Sequence, residues 1–319
     1  MGRADKTVGM NRRAFLVRSS LVAAVGLLPG HRLSAQSPIP ASPASVPTPR
    51  VEFVPLRGSV GLATGRGGTI GWLADASTLV VVDAQFPDTA AAFVEGLPGR
   101  AGRRFDHLLN THHHGDHTGG NSVFRPIAGS LVAHANVPAL QRGRAKVPEN
   151  EVVADTTFTD QWRRDFGSEV VAARYFGPAH TKGDIAVHFE KANVVHVGDL
   201  VFNRLYPVID RPGGASIAGW IGVLETLVKT YPADAVYIFG HGNPKFGVSG
   251  TAADLGAMRD FLTALLDHVQ RAMGAGVPRE ELVKLQELPG FPDYAPAAGA
   301  TSRLPANLGV AYDELTTGN

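Results

Sequence analysis
The chain of 319 residues contains no cysteine. Disulfides, iron-sulfur clusters, thiol nucleophiles and cysteine-ligated zinc are therefore excluded, and any metal must be held by histidine and carboxylate. An excess of charge of one sign is also lacking: 30 Lys and Arg stand against 29 Asp and Glu. Six of the basic residues, Arg3, Lys6, Arg12, Arg13, Arg18 and Arg32, fall in the first 35 positions beside one acid, Asp5, so the rest of the chain is mildly acidic. Its Lys and Arg are scattered instead of stacked into a stripe, and nucleic acid is not an expected partner. The apolar run at 21–28 is far shorter than the roughly 20 residues a spanning helix needs, so no stable membrane anchor is expected either.

What the amino end does have is Asn11-Arg12-Arg13-Ala14-Phe15-Leu16 ahead of that run, then Leu33-Ser34-Ala35 before Gln36. Residues 1–35 thus resemble a twin-arginine signal peptide, which implies the twin-arginine translocase as a partner and a bacterial periplasmic location. Residues 36–50 hold five prolines and no large apolar cluster, as in an extended spacer. The catalytic domain is expected over 51–319.

The body is rich in short β-type runs early (51–54, 70–73, 79–83, 105–109) and mixes strands and helices later. Strands are expected at 131–133, 169–174, 184–189, 193–197 and 235–239, and helices at 87–97, 136–142, 217–229, 252–273 and 279–287. This is a layered α/β pattern with helices outside sheets. Residues 142–160, polar and strand-poor, are expected to be a loop covering the site. The tail from Pro289, with Pro292, Pro296 and Pro305, is expected to pack loosely.

One segment carries chemistry. Directly after the apolar strand 105–109, Asn110-Thr111-His112-His113-His114-Gly115-Asp116-His117 puts four imidazoles and a carboxylate on one strand-end loop. In an extended loop His112 and His114 project the same way and can hold one ion, while Asp116 and His117 turn toward a second. Imidazole and carboxylate together suit Zn2+, with Mn2+ or Fe2+ as alternatives. His113 should point away from the metals. His134, His188 and His196 are expected to be packed, as are Trp72 and Phe86.

The motif resembles that of the metallo-β-lactamase superfamily. Later segments match in order: His180 in Gly177-Pro178-Ala179-His180, Asp199 in Val197-Gly198-Asp199-Leu200, and His241 in Phe239-Gly240-His241-Gly242. The resemblance implies a four-layer αββα sandwich of two mixed sheets flanked by helices. It implies two Zn2+ per chain, the first held by His112, His114 and His180, the second by Asp116, His117 and His241, with Asp199 bridging. Asp184, four residues after His180, is a candidate to accept the free N–H of a metal-bound imidazole.

The implied activity is an exported hydrolase of small molecules. Water activated between the ions would attack an amide or ester carbonyl, a β-lactam among the candidates, with Asp116 orienting it. The best-studied β-lactamase subclass has Cys where this chain has Asp199 and Lys where it has Phe202, so that subclass is excluded. A lactone or thioester hydrolase of the glyoxalase type is the alternative. A mononuclear iron redox enzyme and a non-catalytic metal-binding accessory protein are the rival classes. Lys182, Asn203, Arg204 and Tyr206 are the candidates for substrate contact.

Overall fold
The computed structural model describes residues 49–317, so the expected signal peptide and most of the spacer lie outside the described residues. The first sheet runs in the order β1 (Glu52–Arg57), β2 (Val60–Thr64), β3 (Ile70–Ala74), β4 (Leu79–Val82), β5 (Phe105–Leu109), β6 (Ala128–His134), β7 (Thr156–Phe158). It is antiparallel as far as β4 and parallel beyond. The second sheet takes in β8 (Gln161–Asp165), β9 (Val170–Tyr175), β10 (Ile185–Phe189), β11 (Val194–Asn203), β12 (Val236–Gly242) and β13 (Ser249–Gly250), in that spatial order. Only its β11–β12 pair is parallel. Helices α1 (Pro87–Gly96), α2 (Gly115–Thr118), α3 (Asn121–Phe124) and α4 (Val137–Arg144) accompany the first sheet; α5 (Ile217–Thr230), α6 (Ala252–Gly274), α7 (Arg279–Leu282) and α8 (Leu304–Thr317) follow in the second half.

Alternation along the strands sets the layers. In β4, Val80 and Val82 join Leu62, Val132, Val187, Phe189 and Ile238 in a core between the two sheets. Leu79 and Val81 instead face Phe93 of α1 and Phe124 of α3. In β11, Val195 and Val197 pack outward with Trp220 and Leu224 of α5 and Phe261 and Leu265 of α6. The result is the four-layer αββα sandwich. Among the described residues no helix is long and apolar enough to cross a membrane.

Four expectations change, one of them the helix expected at 279–287, which ends at Leu282. The strand expected at 193–197 continues to Asn203, all ten residues of it buried, through register shifts on either side of Gly198. The tail is not loose: α8 buries Leu304, Leu308 and Ala311 completely, and its Glu314 accepts hydrogen bonds from the Ile217 and Ala218 amides at the start of α5, each at 3.0 Å. Nor is 142–160 one covering loop, because its end is strand β7, hydrogen-bonded into the first sheet beside β6.

Candidate metal centre
The parallel strands end at one edge of the sandwich, and their exits carry the chemistry. After β5, residues 110–114 lead into α2 and are closed on themselves by a reciprocal amide pair between buried Asn110 and Asn121, at 2.9 and 3.0 Å. His114 is extended (φ −68°, ψ 146°) immediately before the α2 turn, which swings Asp116 and His117 to a different side from His112. His180 sits in the turn before β10. Asp199 and His241 lie on the neighbouring strands β11 and β12. Gly198, at φ +51°, puts the bend in β11 there, and a Cβ on it would lie 2.6 Å from Thr111 Oγ1.

The seven expected ligands converge in two sets. In the first, His114 Nδ1 is 3.0 Å from His180 Nε2, and Asp199 Oδ2 is 3.7 Å from His112 Nε2 and 3.5 Å from His180 Nε2. In the second, His241 Nε2 is 3.1 Å from Asp116 Oδ2 and 3.4 Å from His117 Nε2. Tetrahedral zinc with about 2.05 Å bonds to nitrogen sets its ligand atoms roughly 3.3 Å apart. The spacing therefore fits a divalent ion. One buried atom of the first set, His112 Nε2, has no hydrogen bond, an arrangement too costly to keep unless something else meets it.

The outward nitrogens of four imidazoles are occupied by acceptors, which fixes the lone pair facing inward. His117 Nδ1 donates to Asp83 Oδ2 at 2.7 Å. His114 Nε2 donates to Asp210 Oδ2 at 2.9 Å. His180 Nδ1 donates to the Val208 carbonyl at 2.8 Å. His112 Nδ1 meets Thr111 Oγ1 at 3.0 Å, and that hydroxyl donates to Asp83 Oδ2 at 2.7 Å. Asp83 and Asp210 were not expected from the sequence. Asp184 was, but its carboxylate is taken by the Thr181 amide at 2.6 Å and hydroxyl at 3.0 Å, and it shapes the turn behind His180 instead of touching the ring.

Protonation in the metal-free site follows from burial against these charges. Burial opposes a charge on His117, but Asp199, Asp83 and Asp116 outweigh it and raise its pKa well above the ordinary value. Burial outweighs the pull of Asp199 and drops His180 to about 3. For Asp116 burial pulls upward, and His117 and the hydrogen bond to His241 override it, giving about 2.

The other candidates lie elsewhere. Asn203 donates to the Phe246 and Gly247 carbonyls, and Arg204 pairs with Asp254 at 3.2 Å and lies over the Phe246 ring. Tyr206 is buried beside Phe261 and Tyr294. Lys182 is exposed and lies along Gly214. His113 turns to Asp210, at 3.3 Å, away from both sets. Arg144 reaches the same carboxylate at 2.8 Å, so a cation already fills the corner made by His113, His114 and Asp210. His196 is packed, donating to the Thr69 carbonyl and accepting from the Gly198 amide, and Trp72 is in the core.

A cavity of about 220 Å³ opens onto the two sets, walled by His114, Asp116, Asp199 and His241 together with Phe202, Leu205, Val208, Ala297 and Arg303. A larger one of about 550 Å³, between Arg57, Glu169 and Lys191, includes none of the ligand residues.

The family model described as Metallo-beta-lactamase superfamily matches residues 63–241, which include all seven residues of the two sets. The chain belongs to the metallo-beta-lactamase superfamily. Within it, the hydroxyacylglutathione hydrolase of Methylococcus capsulatus is 35% identical over 117 residues, 36% of this chain and 41% of that protein. That of Rhodospirillum rubrum is 30% identical over 171 residues, 50% of this chain and 56% of that one. The chain thus spans about half the length of these curated relatives. A metallo-beta-lactamase from Pontibacter korlensis superposes with a TM-score of 0.57 at 16% identity, covering 67% of this chain and 99% of that one. The DIM-1 metallo-beta-lactamase gives 0.56 at 18%, covering 67% and 98%. At such identities the superfamily likeness is one of fold. Arg303 and α8 lie beyond the matched residues.

Proposed function
We propose that this chain is a two-zinc hydrolase that cleaves a thioester or ester bond in a small molecule. The observation that carries this reading is the position of Asp199: Oδ2 faces His112 and His180, while Oδ1 is 3.1 Å from His117 Nε2 and 3.5 Å from His241 Nε2. One carboxylate serves both sets, and the donor chemistry, imidazole and carboxylate at tetrahedral spacing, suits zinc over softer-ligand metals. Divalent ions there would supply Lewis acidity toward a carbonyl oxygen and lower the pKa of a water.

The chain's own groups do the rest. Asp116, ionised and about one-third exposed on the cavity side, accepts a hydrogen bond from the attacking water and orients it. Phe202, Leu205 and Val208 exclude solvent from the cavity wall, which strengthens every charge inside. The names of the curated relatives and the carboxylate at position 199 support a thioester or ester over a β-lactam amide.

The test is turnover by the metal-loaded protein of a thioester, a lactone and a chromogenic β-lactam, before and after chelation. The reading predicts chelator-sensitive thioester or lactone cleavage that exceeds β-lactam opening. Preferential β-lactam opening would replace the substrate class, and oxygen consumption with one bound iron would replace the chemistry. Export to the periplasm through the twin-arginine translocase, supported by the pattern at 1–35, predicts that Arg12→Lys with Arg13→Lys retains the chain in the cytoplasm. Undiminished export of that variant would count against it.

A further inference from the structure
The geometry points to Arg303 as the residue that selects the substrate, by binding a carboxylate carried by the molecule whose acyl bond is cleaved; this rests on the hydrolase reading above. Apart from histidines, Arg303 is the lone cationic side chain in the wall of the cavity that opens onto the two sets. It is exposed. Its guanidinium has neither an ion pair nor a hydrogen bond among the described residues. It shares that cavity with Asp116 and Asp199 and yet lies within ion-pairing distance of neither, whereas both carboxylates face imidazoles. The donor fork is therefore free for a ligand, and a planar five-donor guanidinium matches a carboxylate through two parallel bonds.

Arg303 is also held in position. Its carbonyl accepts from the Asn307 amide at 2.9 Å in the first turn of α8, and the next residue, Leu304, is fully buried. Upstream, the Tyr206 amide donates to the Ala295 carbonyl at 3.0 Å, and Leu205 bridges Ala295, tying the segment that brings Ala297 to the wall. Between these two anchors the chain places one permanent positive charge on a rim whose other residues are apolar, acidic or histidine. A neutral acyl compound gains nothing from it. An anionic one gains a charge-assisted pair next to apolar walls, worth about tenfold or more in affinity.

The experiment compares three thioesters on the full-length metal-loaded protein: S-phenyl thioacetate, S-(4-carboxyphenyl) thioacetate and S-phenyl monothiosuccinate, with thiol release as the readout. At least one carboxylated probe is expected to have a kcat/KM about tenfold above the neutral one, chiefly through KM. Arg303→Ala should erase that ratio and Arg303→Lys should restore part of it, with metal content in both equal to the parent's. A ratio that survives in Arg303→Ala, or no preference in the parent, overturns the proposal. If no thioester turns over, it is the thioester reading that fails, and Arg303 is then judged by calorimetric binding of terephthalate. Weaker binding to Arg303→Ala supports its role; equal binding, or binding to neither protein, overturns it.

Discussion

His117 Nδ1 lies 2.7 Å from Oδ2 of Asp83, and neither side chain has any solvent exposure. Asp83 also accepts from the Thr111 amide and hydroxyl, each at 2.7 Å, so one carboxylate orients His117 directly and His112 through Thr111. An amide in its place cannot accept from all three donors. Asp83→Asn is expected to weaken metal binding about 10- to 100-fold, with the second set affected most. Competition against a chromogenic chelator measures this, and an affinity equal to the parent's would remove Asp83 from the account.

Acid should work against metal loading. The raised pKa of His117 means that the metal-free protein keeps a proton there, and the proton must leave when a metal binds. In the metal-free state that protonation stabilises the fold fully below the ordinary value of 6.5 and is lost as pH rises through the raised folded value. The gap in Tm between loaded and stripped protein is therefore expected to widen from about pH 6 to about pH 9. Thermal scans of both forms across that range test it; a gap that narrows would reverse the sign.

The ligand loop was legible because its spacing is local: His112, His114, Asp116 and His117 fall within six positions after one apolar strand. The groups that orient those imidazoles were not, since Asp83 and Asp210 arrive from 34 and 96 residues away. Asp83 did leave a trace, a lone carboxylate at the end of the apolar run 79–83. Closeness in sequence misled at Asn203, Arg204 and Tyr206. Strand β11 ends at Asn203, and while Leu205 reaches the cavity wall, the side chains on either side of it turn into contacts with Phe246, Asp254 and Phe261. Prolines hid α8, although Pro305 stands in its first turn, where the missing N–H costs nothing, and Leu304, Leu308 and Ala311 repeat at helical spacing.

Gly240 is required by contact. A Cβ there would lie 1.9 Å from Asp199 Oδ1 and 2.8 Å from the Gly198 carbonyl carbon. Gly240→Ala must push the Asp199 carboxylate aside, and metal affinity is expected to fall more than tenfold with the far-UV spectrum retained. Metal titration beside circular dichroism gives both readings. Full metal affinity in a folded variant would show that Asp199 has freedom the packing denies it.

Glu314 supports the fold from the far end of the chain. It is buried and accepts from two backbone amides of α5, from Ser216 Oγ at 3.3 Å and from Arg211 at 3.2 Å. Glu314→Ala leaves those donors without their acceptor, at about 2 kcal/mol, or roughly 5 °C of Tm. An unchanged Tm would mean that water or another side chain replaces it.

The account stands on one carboxylate serving two metal positions. Calorimetric titration of zinc into the stripped protein and into Asp199→Asn tests this most directly. Two equivalents in the parent, with both weakened in the variant, is the predicted result. A single equivalent in the parent, or two undiminished equivalents in Asp199→Asn, would contradict it.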